Sequence, residues 1–147
     1  MKQNRTNSIR RLVQLIFALL VLICIRIFQN ELFYDPFISF FKANFHNQRI
    51  PDYDTFKLIM SLLLRYALNS FFTIWILHLL FKSASIIKFT SLLLGVFFIV
   101  FTSLFFLMLH NDSNPNYLLL FYTRRFLIQP LFLFLFVPAF YYQKILK

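Results

Sequence analysis

The segment 117–142 is an almost unbroken apolar run that nevertheless contains two adjacent arginines, Arg124 and Arg125. A helix needs about 20 predominantly apolar residues to cross a bilayer, and this segment is long enough to do so. A charged side chain inside a span costs from about 3 kcal/mol on insertion scales to about 10 kcal/mol or more in simulations. Because the segment contains no acid, both guanidinium groups need partners elsewhere in the protein or on a ligand.

Three further apolar segments indicate that this run belongs to a membrane protein. Of the 147 residues, 60% are hydrophobic and 23 are Phe. A soluble domain of this length lacks the interior volume to bury so much apolar surface. A single Gly and five Pro favour a few long helices over many short strands. We therefore predict one all-α transmembrane domain, an integral membrane bundle of four transmembrane helices, with spans near 12–28, 58–81, 89–109 and 117–142.

Lysines and arginines outside these spans are distributed unequally between the two sides. The N-terminal tail carries four, the 82–88 turn two and the C-terminal tail two, whereas the 29–57 loop carries four of the five acids. Cytoplasmic loops usually hold the excess of Lys and Arg. We therefore expect both termini in the cytoplasm (N-in/C-in) and the 29–57 loop outside.

Two segments around the first span have a characteristic composition. Residues 36–42 are short and aromatic, which suits a helix lying in the membrane interface of the outer loop. The 12–28 span follows a basic tail, as the apolar part of a signal peptide does. Positions 24–28, however, offer no small-x-small cleavage site, so we expect an uncleaved first helix.

Several classes of site are excluded by composition. Cys24 is the single cysteine, so the chain has no internal disulfide and no cysteine-based metal cluster. No His-x-x-x-His spacing occurs, and one glycine cannot build a phosphate-binding loop. The basic residues are scattered over span ends and spans and form no stripe on a soluble face. We predict no metal, no cofactor and no nucleic-acid partner.

Helix geometry places four arginines at similar depth in the outer half of the membrane. At about 1.5 Å per residue, Arg65 lies about 12 Å below the outer surface, and Arg124 and Arg125 lie at about the same level. Arg26 lies near the outer end of the first helix, because that helix runs outwards from the basic tail. Topology alone therefore brings these arginines into one layer.

Other polar residues share helix faces with these arginines. On the fourth span Arg125 and Gln129 are four positions apart, and Pro130 follows at an expected kink. The second span has one polar residue every four positions, and we expect this stripe to face other helices. The stripe consists of Ser61, Arg65, Asn69 and Thr73.

Two interpretations account for the arginine layer. In the first, Arg26, Arg65 and one of the adjacent pair meet Glu31, Asp35 and free helix carbonyls in a structural network. In the second, the layer binds a partner or an anion, such as a lipid phosphate or a carboxylate, which guanidinium groups fit well. Two acids cannot neutralise four bases, so we expect uncompensated positive charge. The candidate binding residues are Arg26, Arg65, Asn69, Arg124, Arg125 and Gln129, with Glu31 and Asp35 as ion-pair partners.

A catalytic alternative uses Cys24, His110 and one arginine, Arg124 or Arg125. All are expected near the outer surface, and such a set supports thiol acyl transfer. The simpler interpretation is that Cys24 is a small apolar packing residue and that His110 is a loop residue at a helix end. We favour the simpler interpretation and predict no enzymatic activity.

Four sequence segments together resemble a known family. They are Glu-Leu-Phe-Tyr-Asp-Pro-Phe at 31–37, Leu-Arg-Tyr-Ala-Leu-Asn at 64–69, the segment 116–130 and Pro-Ala-Phe-Tyr-Tyr-Gln at 138–143. The chain resembles the exosortase F system-associated proteins, small membrane proteins of Bacteroidota encoded beside exosortase F. The likeness covers nearly the whole chain, and Arg-Arg-Phe-Leu-Ile-Gln-Pro is its most specific part.

The resemblance implies an accessory protein of the bacterial inner membrane. Its expected partners are exosortase F, which processes C-terminal sorting signals of exported proteins, and membrane lipids, including anionic ones. Exosortases proper use a Cys, an Arg and a His, but the resembling segments contain neither Cys24 nor His110, so no catalytic role transfers to them. The alternatives are a thiol-dependent exosortase-like transpeptidase using Cys24, His110 and Arg124, and an anionic-lipid-binding membrane protein.

Overall fold

The computed structural model describes residues 2–43, 49–110, 116–129 and 131–146, and for 2–5 it describes the backbone alone. Pro130, where a kink was expected, lies outside these ranges, as do residues 111–115 between the third and fourth predicted spans. The described residues form seven helices and no strand, which confirms the all-α prediction. The helices are α1 (Lys2–Ile27), α2 (Gln29–Leu32), α3 (Phe37–Lys42), α4 (Thr55–Phe81), α5 (Ala84–His110), α6 (Tyr117–Ile128) and α7 (Leu131–Ile145).

Three of these helices, α1, α4 and α5, are long and apolar enough to cross a membrane. The pair α6 and α7 also meets this requirement when taken together, but the two helices meet at an angle of 65°. The chain thus has three membrane-spanning candidates, or four if α6 and α7 form one broken span. This architecture agrees with the predicted multi-pass membrane protein.

Polar residues at the ends of the apolar runs determine where the long helices begin and end. The carboxylate of Asp54 accepts hydrogen bonds from the backbone N–H groups of Phe56 and Lys57, at 3.1 and 3.3 Å, and so caps the start of α4. The same helix ends at Lys82, which has a left-handed conformation (φ 50°). Its N–H donates to the carbonyl of His78 at 3.0 Å, a common helix stop.

The break between α6 and α7 begins at Gln129, which has an extended conformation (φ −107°, ψ 143°). A residue before a proline is biased towards this region, so the break agrees with the proline at position 130. Because α6 ends here, the Ile128 carbonyl lacks the backbone N–H donor that a continuing helix would provide. The side chain of Asn69 on α4 donates to this carbonyl at 3.0 Å. The break is therefore held by a neighbouring helix.

Helix α4 is the central element, because it packs against α1, α5, α6 and α7. We call the end of the bundle where α1 ends and α4 and α6 begin the loop end, and the opposite end, at the α4–α5 connection, the turn end. The polar stripe on α4 is buried along its length, which confirms that it faces other helices. Its four members, Ser61, Arg65, Asn69 and Thr73, are all at most 8% exposed.

Aromatic rings align α5 with the broken pair along the length of the bundle. Phe101 stacks on Phe126 with ring centroids 5.3 Å apart, and Phe97 stacks on Phe132 at 4.9 Å. Phe140 in turn contacts Phe89 at 6.3 Å. Along α5 the contacted residue changes from Phe101 to Phe97 to Phe89, while its partner advances from α6 into α7. Helices α6 and α7 therefore run in the opposite direction to α5, towards the turn end.

The Asn69 hydrogen bond leads to a prediction about the break. We expect Asn69→Leu to lower the free energy of unfolding by about 1–3 kcal/mol, because the Ile128 carbonyl loses its donor in an apolar environment. The measurement is unfolding of the purified protein in mixed micelles with increasing SDS.

Thr73→Val is the matched control for this prediction, since it changes a buried polar residue of the same stripe. The Thr73 hydroxyl donates to the Asn69 carbonyl one turn earlier in its own helix, at 2.7 Å. Its loss strands no backbone group, and we expect an effect below about 1 kcal/mol. Equal effects of the two substitutions would contradict a special role for Asn69.

Candidate functional site

The carboxylate of Asp35 lies between two arginines from different helices. Its side chain is 1% exposed, and a single oxygen, Oδ2, accepts from Arg65 Nη1 at 3.2 Å and from Arg124 Nη2 at 2.5 Å. The other oxygen, Oδ1, accepts from the backbone N–H of Phe37 at 3.1 Å. The segment between α2 and α3 is thereby joined to α4 and α6. We call these three ionised residues the Asp35 cluster.

Apolar residues on either side of Asp35 direct this segment into the bundle. Phe33 and Phe37 are both buried, at 8% and 0% exposure. Asp35 precedes Pro36, and a residue in this position favours extended backbone. The chain therefore leaves α2 in an extended conformation, buries two rings and brings the carboxylate inwards between them.

Arg65 makes two further kinds of contact around the Asp35 cluster. Its Nη2 donates to the backbone carbonyl of Gln29 at 3.3 Å, which is one of the acceptors at the end of α1 and the start of α2. The guanidinium also lies over the ring of Phe33, 4.7 Å from the centroid, where a cation–π contact is favourable. Its Nε atom is buried and has no hydrogen-bond partner among the described residues.

Arg124 also pairs with Asp35 and contacts an aromatic ring, but it makes fewer hydrogen bonds than Arg65. Arg124 is 6% exposed, and its guanidinium lies 5.6 Å from the centroid of the Phe41 ring. The only hydrogen bond of its side chain in the described part of the chain goes to Asp35. The Nε atom is buried and has no partner there. Arg124 therefore has one buried donor without an acceptor among the described residues.

The Asp35 cluster carries a net positive charge, because one carboxylate lies between two guanidinium groups. Burying an ion pair in a low-dielectric interior is already costly, and an uncompensated charge is more so. The cation–π contacts and the Gln29 carbonyl offset part of this cost. They do not supply a second negative charge.

A cavity of about 240 Å³, which we call the arginine pocket, lies next to the Asp35 cluster at the loop end. Side chains of the end of α1, of α2, of α3 and of α6 line it. Four of the lining residues are cations and none is an acid. The lining residues are Arg26, Gln29, Ile38, Phe41, Lys42, Phe121, Arg124, Arg125, Ile128 and Gln129.

Three of the four cations in the pocket are exposed to solvent or lipid. Arg26, Lys42 and Arg125 form no ion pair with any described residue. Arg125 Nε donates to the Oε1 atom of Gln129 one turn later, at 3.1 Å. This bond orients the guanidinium without neutralising its charge. The arginine pocket is thus a cleft with several donors and no counter-charge of its own.

The sequence-predicted residues separate into three groups. Arg65, Arg124 and Asp35 form the buried cluster, while Arg26, Arg125 and Gln129 line the pocket with Arg124. Asn69 lies at the α6–α7 break and does not line this pocket. Glu31, expected as a second ion-pair partner, is exposed and forms no ion pair with the described residues, so the acid available to the layer is Asp35.

Two polar residues that line the pocket were absent from the sequence prediction. Lys42 comes from the last turn of α3, and Gln29 contributes both a lining side chain and a backbone carbonyl. The signal for Lys42 was its place at the end of an aromatic helix expected directly above the arginine layer. The cation–π contacts of Phe33 and Phe41 had no signal beyond their closeness in sequence to Asp35.

The residues of the thiol alternative do not share the arginine pocket. Cys24 and His110 are exposed and neither lines the pocket, whereas Arg124 lines it and pairs with Asp35. Among the described residues no group of three His, Cys, Asp or Glu side chains is placed to hold a metal ion.

No protein-family model, curated protein or solved structure matches this chain.

The Asp35 cluster leads to a prediction about stability. We expect Asp35→Asn to lower the free energy of unfolding by about 3–5 kcal/mol, because it leaves two buried guanidinium groups without a counter-charge. Unfolding in SDS mixed micelles measures this. Glu31→Gln is the control, since it removes an exposed and unpaired acid and should change stability by less than about 0.5 kcal/mol.

A double variant separates the loss of charge from a general disturbance of the loop. Adding Arg124→Met to Asp35→Asn removes one of the two stranded cations, so we expect it to recover part of the lost stability. A double variant less stable than Asp35→Asn alone would argue against the electrostatic explanation.

Proposed function

We propose that this chain is a non-catalytic accessory membrane protein that binds an anionic group in its arginine pocket. The observation that carries the proposal is the charge around the site. Five cations (Arg26, Lys42, Arg65, Arg124 and Arg125) lie in or beside the pocket, and among the described residues the one acid that contacts them is Asp35. Their net charge is therefore strongly positive, and a ligand or partner that supplies negative charge would reduce the cost of holding them together.

The chemistry of the pocket suits an oxyanion. Guanidinium groups present planar arrays of N–H donors that match carboxylate and phosphate oxygens. Arg26 and Arg125 reach the cleft from two different helices, and Lys42 adds a compact charge from a third. Arg124 also lines the cleft, with its guanidinium paired to Asp35.

The resemblance to exosortase F system-associated proteins suggests where the anionic group comes from. In that context the chain supports exosortase F in the bacterial inner membrane, and the negative charge belongs to an acid on this partner or to an anionic lipid. The absence of Cys24 and His110 from the lining of the arginine pocket is consistent with an accessory role rather than a catalytic one.

The proposed topology has four spans, with both termini in the cytoplasm and the arginine pocket in the outer half of the membrane. The antiparallel ring contacts of α7 with α5 support treating α6 and α7 as one broken span. The excess of Lys and Arg at the turn end and in both tails supports the orientation. In this arrangement α3 is the interfacial helix of the outer loop, with Lys42 exposed.

Cysteine labelling tests this topology. In a Cys24→Ser background, we expect a cysteine introduced by Thr55→Cys to react with a membrane-impermeant maleimide in spheroplasts. Ser85→Cys and Leu146→Cys should react only after lysis. These three residues are exposed and uncharged, so the changes leave the distribution of Lys and Arg intact. Labelling of Leu146→Cys in spheroplasts would contradict the fourth span.

Co-purification tests the accessory role. We expect exosortase F to be recovered with the tagged protein from detergent-solubilised membranes. The double variant Arg26→Gln/Arg125→Gln should lower this recovery by about tenfold, equivalent to about 1.4 kcal/mol. Arg124 is left unchanged, because its loss would disturb the Asp35 cluster.

The matched control is Arg10→Gln/Lys88→Gln, which removes two exposed cations far from the arginine pocket. We expect it to retain exosortase F as the unsubstituted protein does. The accessory role would be rejected if exosortase F were not recovered at all. The role of the pocket would be rejected if both double variants retained it equally.

A further inference from the structure

We infer that the anionic group held in the arginine pocket is the phosphate of an anionic membrane lipid, which enters sideways from the bilayer between α1 and α6. The inference rests on the proposed anion site and names its ligand class. It follows from the position of the pocket in the bundle, from the apolar side chains that flank it, and from its size and charge.

The pocket lies at the rim of the bundle rather than in its core. Its lining comes from α1, α2, α3 and α6, and none comes from α4, α5 or α7. Helix α1 packs chiefly against α4, while α6 packs against α5 and α4. The facing sides of α1 and α6 therefore border a lateral cleft at the loop end, where a molecule can enter from the membrane.

Apolar side chains flank the cations on both sides of the cleft. On α1, Ile23 and Ile27 lie one turn before and one residue after Arg26, and they are 53% and 65% exposed. On α6, Tyr122 and Phe126 have the same spacing around Arg125 and are also exposed. Each helix thus presents one cation among exposed apolar side chains. This pattern suits a ligand with an anionic head and hydrocarbon chains.

The level of the pocket agrees with the level of lipid head groups. Arg26 occupies the last turn of α1, at the loop end, where this helix leaves the apolar part of the bundle. Lys42 at the end of α3 covers the site from above. Basic pockets between transmembrane helices are known binding sites for phosphate-bearing head groups.

The size and charge of the pocket favour phosphate over carboxylate. Its volume of about 240 Å³ corresponds to roughly eight water molecules at about 30 Å³ each. That is more than a carboxylate needs, and it leaves room for a phosphate and the first atoms of its ester links. Phosphate also presents more acceptor oxygens than carboxylate, which matches donors arriving from the three exposed cations Arg26, Lys42 and Arg125.

Native mass spectrometry of the full-length protein tests the inference. Delipidated protein is titrated separately with phosphatidylglycerol, phosphatidic acid, phosphatidylcholine, oleate and inorganic phosphate. We expect retention of phosphatidylglycerol and phosphatidic acid, with phosphatidylcholine bound about tenfold more weakly because its choline cancels the phosphate charge. Arg26→Gln/Arg125→Gln should lose about tenfold in affinity for the anionic lipids, and Arg10→Gln/Lys88→Gln should lose little.

Each alternative occupant gives a distinct outcome, provided that the variants keep the wild-type unfolding midpoint in SDS. Equal retention of phosphatidylcholine would overturn recognition of net charge, and equal retention of oleate would overturn phosphate in favour of carboxylate. Binding of inorganic phosphate without retention of either anionic lipid would overturn the membrane source.

The result also separates this inference from the proposed function. If no lipid is retained but recovery of exosortase F still depends on Arg26 and Arg125, the lipid inference fails and an acid on the partner protein occupies the pocket. If an anionic lipid is retained and exosortase F is not recovered, the inference stands and the accessory role fails. If neither binds, both are rejected.

Discussion

The carboxylate of Asp35 is the contact on which the loop end depends. Its partner Arg65 lies 30 positions away and Arg124 lies 89 positions away, so one side chain joins the connection after α1 to two separate helices. In a membrane the apolar faces of these helices have little preference for each other over lipid. Ionic contacts and hydrogen bonds then select one arrangement among many, and breaking them leaves charges that neither lipid nor protein can solvate.

The polar stripe on α4 also supplies a hydrogen-bond donor to the α6–α7 break, farther from the loop end than Arg65. The 12 residues of α6, about three turns of helix, separate the α6–α7 break from the loop end. The bilayer offers no water to the freed carbonyls of the break. Asn69, one turn beyond Arg65, supplies a donor to the Ile128 carbonyl. Helix α4 thus serves both the ion pairs and the break from one face. This explains why its polar residues recur every four positions.

Sequence patterns predicted the position of the arginines along the helix axes better than the direction in which each side chain points. The rise of about 1.5 Å per residue correctly grouped Arg26, Arg124 and Arg125 at one level, and the four-residue spacing identified the buried face of α4. Adjacent residues on a helix, however, point about 100° apart. Choosing between Arg124 and Arg125 as the partner of Asp35 required knowing which face of α6 meets α4. The choice between Glu31 and Asp35 was equally inaccessible, because it depends on how Phe33 and Phe37 direct an irregular segment into the bundle.

The two adjacent arginines correspond to the two interpretations of the arginine layer, one as a structural network and one as a binding site. Arg124 points inwards and is held by Asp35, whereas Arg125 is exposed in the pocket beside Gln129. A second buried acid would stabilise the bundle further, but it would also cancel the charge that makes the pocket attractive to an anion. One carboxylate between two guanidinium groups is enough to join the helices, and it leaves the Asp35 cluster with a net positive charge beside the pocket. Arg124 therefore belongs both to the structural network and to the lining of the proposed binding site, and the incomplete neutralisation of the network adds to the positive charge of that site.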